Sequence, residues 1–164
     1  MPDFRLLWSE TPGGGLIEYQ GRQLRLSYWL SVSKGDRLHL MFERQTPRPV
    51  QGLAIQLHDR RGELQIGETR SKHIVLWTDT APRHVECSVN RVKRGGQLSL
   101  MNVWRDEKYG TTMMGLNCAA MDVQIQSDGS ALLSCSDGWG IDPDFSDLVV
   151  RLSVEHEQSV NRHL

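Results

Sequence analysis

Alternation of apolar and polar residues with a period of two is the feature that most constrains how this chain folds. The alternating segments span residues 24–28, 53–58, 84–89, 121–126 and 148–155. Turn-forming residues separate such segments, at positions 13–15, 34–36, 59–62, 95–96 and 128–129. Successive side chains of a strand point to opposite faces of the sheet, and no long stripe of helical period competes with this pattern. The pattern predicts an all-β fold, an antiparallel β-sandwich of jelly-roll or Greek-key type, with about ten short strands.

The chain length indicates one domain, because 164 residues are enough to bury a core of their own. We expect a single β-sandwich domain over residues 1–156 and a polar tail over residues 157–164. Two prolines within residues 46–49 exclude a central strand there and predict a loop or an edge. The segment 107–117 matches no pattern well, so a long loop and a single helical turn both stay open.

Two parts of the chain resemble each other in sequence. Residues 7–12 are echoed by residues 76–82, and residues 55–57 by residues 123–125, at a separation of about 70 residues. An internal duplication and a chance similarity between strand-rich segments both stay open. If the duplication is real, each half is too small for its own core, and the halves are expected to pair as the two sheets of one sandwich.

The charge balance argues against nucleic acid as a partner. Lys and Arg number 19, Asp and Glu number 20, and the net charge is −1. A nucleic-acid binder normally carries a strong basic excess, because neutralising phosphates supplies much of its affinity. No apolar stretch approaches the roughly 20 residues of a membrane-spanning helix. The sequence therefore predicts neither a nucleic-acid partner nor a membrane span.

The cysteines bear on the cellular compartment. Cys87, Cys118 and Cys135 form no C-x-x-C pair, and an odd number cannot all be paired within the chain. No secretory signal precedes the first alternating segment. We expect a reducing, cytoplasmic setting. Export by a route without a cleavable signal, or removal of a signal, is the alternative that the sequence leaves open.

The strongest candidate for chemistry is an acidic turn. Asp142, Asp144 and Asp147 lie in close succession on a turn braced by Pro143, and Asp137 precedes them. Like charges this close repel each other, so the turn needs either full solvation or a bound cation. Calcium takes about six to eight oxygen ligands in flexible geometry, which suits carboxylates on a short turn. We expect a calcium ion to be held by these four aspartates; a solvated turn without metal is the alternative.

The same turn carries a resemblance to known modules. Residues 142–150 resemble the D-x-D-F-N-D-L-V-V signature of calcium-binding β-sandwich modules of bacterial surface proteins, with Ser146 where asparagine is usual. The resemblance implies that Asp142, Asp144 and Asp147 are cation ligands and that Phe145 packs inward. It is confined to this run. Those modules are generally secreted, which differs from the compartment that the rest of the sequence predicts.

Tryptophans are the candidates for ligand contact, since the chain has five of them and only three phenylalanines. Those expected to pack in the core or at its rim are Trp8, Trp29, Trp77 and Trp104. Trp139 differs because it lies between Gly138 and Gly140 in the acidic loop, with no local neighbour to pack on. Exposed aromatic rings stack on sugars and anchor protein interfaces. We therefore expect Trp139 to contact a ligand, with carbohydrate favoured over a protein surface.

No motif in the sequence indicates catalysis. His84 and Cys87 are three residues apart, so on a strand they face opposite sides of the sheet, and Cys87 is expected to be a buried, inert thiol. The sequence predicts a non-enzymatic binding module with a calcium-stabilised acidic loop. The alternatives are an intracellular protein–protein interaction component of immunity or adaptor type without metal, and a hydrolase with its site in a cleft of the sandwich. Neither the ligand's identity nor the oligomeric state follows from the sequence.

Overall fold

All regular elements in the described part of the chain are β-strands. The computed structural model describes residue 4 and residues 15–115, 119–138 and 143–157. The strands are β1 (Ile17–Tyr19), β2 (Arg22–Arg25), β3 (Tyr28–Ser31), β4 (Arg37–Gln45), β5 (Gln51–Leu57), β6 (Glu63–Ile66), β7 (Thr69–Ser71), β8 (His73–Trp77), β9 (His84–Arg91), β10 (Gln97–Arg105), β11 (Thr112–Met113), β12 (Ala120–Ile125), β13 (Ala131–Ser136) and β14 (Leu148–Glu155). The predicted all-β class is confirmed.

The strands form two antiparallel sheets packed as a sandwich. One sheet has nine strands in the order β1-β2-β12-β13-β14-β4-β9-β6-β7, and the other has the order β11-β10-β5-β8, with β3 also paired to β10. Four pairs nest inside one another along the chain: β3 with β10, β4 with β9, β5 with β8, and β6 with β7. Nested pairs that alternate between two sheets are the pattern of a jelly roll. The strands β1, β2, β12, β13 and β14 extend one sheet of that jelly roll beyond β4.

The inner faces of the two sheets form the main core. Every second side chain is buried at positions 38, 40 and 42 of β4 and at positions 148, 150 and 152 of β14, as the period-two pattern requires. Leu40, Ile55, Leu100 and Val150 are each fully buried in this core. A smaller apolar cluster lies at the far edge of the nine-stranded sheet and contains Phe4, Ile17, Leu24 and Ala120. The sandwich is therefore held together chiefly by burial of alternate apolar side chains.

The structure corrects two expectations about the strands. A single strand through residues 24–28 is wrong, because β2 ends at Arg25 and β3 begins at Tyr28 in the other sheet. Leu24 and Tyr28 accordingly pack against different apolar clusters. The arrangement expected if the chain is duplicated, with each half forming one sheet, is also wrong, since both halves contribute strands to both sheets. The duplication itself stays a prediction, because residues 7–12 lie outside the described part.

Three local predictions have clear outcomes in the structure. The proline-containing segment 46–49 lies in the connection between β4 and β5, as predicted. Residues 107–109 form a turn closed by a hydrogen bond from the backbone N–H of Gly110 to the carbonyl oxygen of Asp106 at 2.8 Å, which is one helical turn that does not continue, and β11 follows at Thr112. Among the described residues no helix is long and apolar enough to cross a membrane. Residues 158–164 of the predicted tail lie outside the described part.

Truncation of a central core side chain should be costly. Leu100 is fully buried in β10, in register with Ile55 and Tyr28 on its two neighbouring strands. We expect Leu100→Ala to lower the free energy of unfolding by about 2–5 kcal/mol in urea denaturation, because a cavity is left between the sheets. The matched control is Ile125→Ala at a side chain that is 65% exposed, with an expected change within about 0.5 kcal/mol. Equal effects of the two substitutions would contradict the assigned core.

Candidate acidic site

The acidic loop connects two neighbouring strands of the nine-stranded sheet. It leaves β13 after Ser136 and enters β14 at Leu148. Cys135 and Leu148 are paired in register, so the residues just beyond these ends, Asp137 and Asp147, come together. Asp137 is 1% exposed and Asp147 is 8% exposed. The strand pairing therefore places two carboxyl groups side by side in a buried position.

The two aspartates contact each other directly. The backbone N–H of Asp137 donates to Oδ2 of Asp147 at 3.1 Å, and the carboxyl of Asp137 is close enough to raise the pKa of Asp147. Burial is the main cause that raises the pKa of Asp147 to about 7; the N–H of Asp137 opposes the rise, and the charge of the Asp137 carboxyl adds to it. Two carboxylates in contact cannot both stay ionised without compensation. The site therefore needs a shared proton or a cation.

Buried amides connect this pair to the five-stranded sheet. Nε2 of Gln51, at the start of β5, donates to Oδ2 of Asp137 at 2.8 Å and to the carbonyl oxygen of Pro49 at 3.0 Å. Oε1 of Gln51 accepts from Nδ2 of Asn102 on β10 at 3.0 Å. Gln51 is completely buried, so its bonds cannot be replaced by water without cost. This chain of amides fixes the position of the Asp137 side chain between the two sheets.

Asp144 lies beside the pair but in a different environment. Its Oδ1 accepts from the backbone N–H of Ser146 at 3.0 Å and from the Ser146 hydroxyl at 2.6 Å. These bonds lower the pKa of Asp144, whose side chain is exposed. Its negative charge contributes to the raised pKa of Asp147. Asp144 thus forms the local side-chain-to-backbone turn expected of a solvated aspartate, close enough to influence the buried pair.

The predicted ligand set is only partly within the described residues. Asp137, Asp144 and Asp147 are placed near one another, whereas Asp142 and Trp139 lie outside the described part. Among the described residues, no group of three His, Cys, Asp or Glu side chains is close enough to hold a metal ion. The structure therefore supplies a buried pair of carboxyls with a third carboxylate nearby. The four-aspartate site stays a prediction.

Phe145 packs inward, as the resemblance implies. Its side chain lies against the small apolar cluster, next to Tyr19, and its ring is 4.6 Å from the guanidinium carbon of Arg22. The Arg22 guanidinium also pairs with Asp122 at 3.1 Å. Phe145 therefore anchors the end of the acidic loop against β2 and β12, the two strands that follow the edge strand β1 in the sheet.

The remaining site predictions have mixed outcomes. Cys87 is fully buried and burial raises the pKa of its thiol to about 12, which confirms an inert thiol. Trp104 is buried, as expected, and Trp77 is half-buried against Gly52. Trp29 departs from the expectation, because it is 40% exposed. Trp8 lies outside the described part.

Sequence reasoning missed Gln51 and Asn102. Both amides lie on strands of the sheet opposite the acidic loop, 86 residues and 35 residues away from Asp137 along the chain respectively. A polar residue at an inward position of an apolar strand is the signal that could have identified Asn102, because it shares a face with Leu98 and Leu100. Only the packing of the two sheets shows which group such an amide meets.

The arrangement suits binding of a small cation or a proton better than catalysis. Both carboxyls are almost inaccessible, and Cys135 beside them is buried with its pKa raised by burial and by the Asp147 charge. A general acid or base must reach a substrate within hydrogen-bond distance, which this burial prevents. The described geometry is therefore that of a buried pair of carboxyls rather than an accessible acid or base.

The raised pKa of Asp147 predicts how stability depends on pH. The pKa of an aspartate in the unfolded chain is about 3.8, whereas that of Asp147 in the folded protein is about 7. The protonated Asp147 carboxyl therefore contributes its full share to the free energy of unfolding below pH 3.8, and this contribution is lost as the pH rises through about 7. In chelator, we expect Asp147→Asn to melt several degrees above the wild type at pH 8 and close to it at pH 4. The measurement is thermal unfolding followed by circular dichroism.

Asp128→Asn is the matched control for this experiment. Asp128 is an exposed turn residue whose pKa is lowered by hydrogen bonds from Ser130. Its replacement should not raise the melting temperature at pH 8. A variant Asp147→Asn that is no more stable than the wild type at pH 8 would contradict the assigned contact between the two carboxyls.

Comparison with protein-family models, with curated proteins and with solved structures finds no match for this chain. A fold alone does not determine an activity, because jelly rolls serve many unrelated functions. The function of this protein must therefore be inferred from the acidic site and from the surfaces of the two sheets.

Proposed function

We propose that this protein is a non-enzymatic binding module whose acidic loop is stabilised by calcium and whose ligand is a carbohydrate. The observation that carries the calcium part is the contact between the buried carboxyls of Asp137 and Asp147. At neutral pH that contact leaves negative charge without compensation unless a cation or a proton is held there. A divalent cation neutralises both carboxylates at once.

The chemistry of the site favours calcium among divalent cations. The available donors are carboxylate oxygens, which are hard ligands, and the described site contains no histidine or reactive thiolate. Asp137 and Asp147 are the inner pair, and Asp142 and Asp144 complete the proposed ligand set. Calcium accepts irregular geometry and several water or carbonyl ligands, so two fixed carboxylates and a flexible turn can satisfy it.

The proposed role of the ion is to order the loop that carries Trp139. The loop is fixed at both ends by strand pairing and by Phe145, and its interior is short and rich in like charge. Removing the repulsion between aspartates favours one compact conformation of the loop. Trp139, flanked by Gly138 and Gly140, then presents its indole to a sugar ring. A protein surface that takes the same residue is the alternative.

Calcium should raise the melting temperature of the protein. Calcium at a concentration about a hundredfold above its dissociation constant should raise the free energy of unfolding by about 2.7 kcal/mol, which corresponds to an increase of several degrees in the melting temperature. The increase should be larger at pH 8 than at pH 5, because protons compete for Asp147 at the lower pH. Scanning fluorimetry in calcium, in magnesium and in chelator measures these shifts, with the magnesium shift expected to be the smaller.

Substitution of single aspartates tests where calcium exerts its effect on the melting temperature. Asp137→Asn and Asp147→Asn should each lose most of the calcium shift, whereas the control Asp128→Asn should retain it. Identical melting of the wild type in calcium and in chelator would overturn the calcium proposal and favour the metal-free protein-interaction component.

Carbohydrate binding should depend on the ordered loop. On a glycan array, the calcium-loaded wild type should bind, and binding should weaken in chelator and in Trp139→Ala. The exposed aromatic Tyr109, which is 72% exposed on the turn after β10, provides the matched control Tyr109→Ala. If the array shows no binding at all, the carbohydrate part of the proposal is wrong.

A further inference from the structure

The outer faces of the two sheets differ sharply in charge. On the nine-stranded sheet, charged side chains from neighbouring strands form ion pairs across the outward positions. These pairs are Arg37–Glu155 at 2.6 Å, Arg37–Glu86 at 3.5 Å, Arg151–Glu43 at 2.6 Å and Arg22–Asp122 at 3.1 Å. Such a face is well solvated and each pair adds little stability. It has the character of an ordinary solvent-facing surface.

The outer face of the five-stranded sheet is almost uncharged. The alternation of β3, β5, β8 and β10 places small, amide, imidazole and aromatic side chains at the outward positions. These are Trp29, Ser31, Gly52, Ala54, Gln56, His73, Val75, Trp77, Gln97, Ser99, Met101, Val103 and Arg105. The guanidinium of Arg105 is the one permanent charge at these positions, and it is paired with Asp79 at 2.9 Å and lies 4.6 Å from the Trp77 ring.

Four of these residues form a row across the sheet. Ser99 is paired in register with Trp29 on one side and with Gln56 on the other, and Gln56 is paired with His73. At the usual spacing between strands the row is about 14 Å long. Trp29, Ser99, Gln56 and His73 are therefore successive cross-strand neighbours on this face, and Ser99 is the buried member of the row.

The aromatic end of the row is held rigidly. The Trp29 ring stacks on His58 with centroids 4.1 Å apart and an angle of 20°, and its Nε1 donates to Oγ of Ser27 at 2.8 Å. Nε2 of His58 is in turn 2.7 Å from Oγ of Ser99. Burial lowers the pKa of His58, so its imidazole is neutral at pH 7. Trp29 is nevertheless 40% exposed, so a fixed ring is presented to solvent.

The other end of the row has hydrogen-bonding capacity that the protein does not use. The side chains of Gln56 and His73 are exposed and have no hydrogen-bond partner within the described part of the chain. A side-chain amide offers both donors and an acceptor, and a neutral imidazole offers one donor and one acceptor. These groups suit a ligand that carries many hydroxyls.

We infer that this row is a binding site for a neutral oligosaccharide, with a sugar ring stacked on Trp29 and hydroxyl groups bound by Gln56 and His73. The inference rests on the proposed carbohydrate-binding function but places a sugar contact away from the acidic loop. Trp29 pairs with Ser99 near the start of β10, whereas the amide of Asn102, which leads to the acidic site, lies towards its end. The two contacts are therefore separate.

The composition of the row argues against other ligands. A nucleic acid needs basic residues along its backbone, and none of the four residues is Lys or Arg. A protein interface is centred on a desolvated apolar cluster, whereas three of the four members here are polar. The contact between His58 and Ser99 does not make an esterase site, because Ser99 is only 8% exposed and no carboxylate among the described residues is paired with His58.

Affinity electrophoresis in soluble xylan, glucomannan, mixed-linkage β-glucan and dextran tests the inference, with the anionic polysaccharides alginate and heparin for comparison. In calcium, the wild type should be retarded by at least one neutral polysaccharide and by neither anionic one. Trp29→Ala should weaken that binding at least about tenfold, since a stacking contact is lost. Gln56→Ala should weaken it several-fold, and Tyr109→Ala should leave it unchanged.

The outcomes separate this inference from the function on which it rests. If Trp29→Ala and Gln56→Ala bind as the wild type does while Trp139→Ala and chelator abolish binding, the row is not the site and the calcium-dependent module stands. If Trp29→Ala and Gln56→Ala lose binding while Trp139→Ala and chelator have no effect, the row is the site and the acidic-loop proposal is wrong. Failure of the folded wild type to bind any neutral polysaccharide overturns both. Thermal unfolding of each variant verifies that it is folded.

Discussion

The antiparallel ladder between β14 and β4 is the contact on which the rest of the structure depends. It pairs Leu148 through Glu155 with Arg37 through Gln45, and it joins the four nested pairs of the jelly roll to the strands β13, β12, β2 and β1. On its other side, β14 is paired with β13, and this pairing brings the two ends of the acidic loop together. Core formation and site formation therefore share one element, and the burial of Val150 and Leu152 stabilises both.

Burial gives the acidic site its properties. An exposed aspartate such as Asp144 is held by local hydrogen bonds and stays ionised, whereas Asp147 is desolvated next to Asp137 and retains a proton up to about neutral pH. The free-energy cost of burying these two carboxyls is offset by the packing of the two sheets, because that packing supplies Gln51 as a hydrogen-bond donor to Asp137. In the proposed calcium site, a proton and the cation would compete for the same carboxyl groups, which would link loop order to pH and calcium concentration.

The two sheets divide the surface by charge. Pairing of opposite charges across β4, β9 and β14 makes one face resemble ordinary solvated protein surface. On the other face the outward side chains are mostly uncharged; the Trp29 ring stacks on His58, and the Trp77 ring lies against Gly52. A largely uncharged surface with a fixed aromatic ring at one end differs in chemistry from the acidic loop. The two proposed sites therefore lie at separate places on one small domain.

The sequence by itself determined the all-β class, because a period of two can bury one face of each segment only in a sheet. It also located the acidic loop and the buried thiol of Cys87, since both follow from local spacing. Only the tertiary structure decided that residues 24–28 divide between two sheets, that Gln51 and Asn102 support Asp137, and that Trp29 is exposed while Trp104 is buried. The physical reason is that these outcomes depend on which strands are neighbours, and strand neighbours far apart along the chain are chosen by packing of the whole core rather than by local pattern.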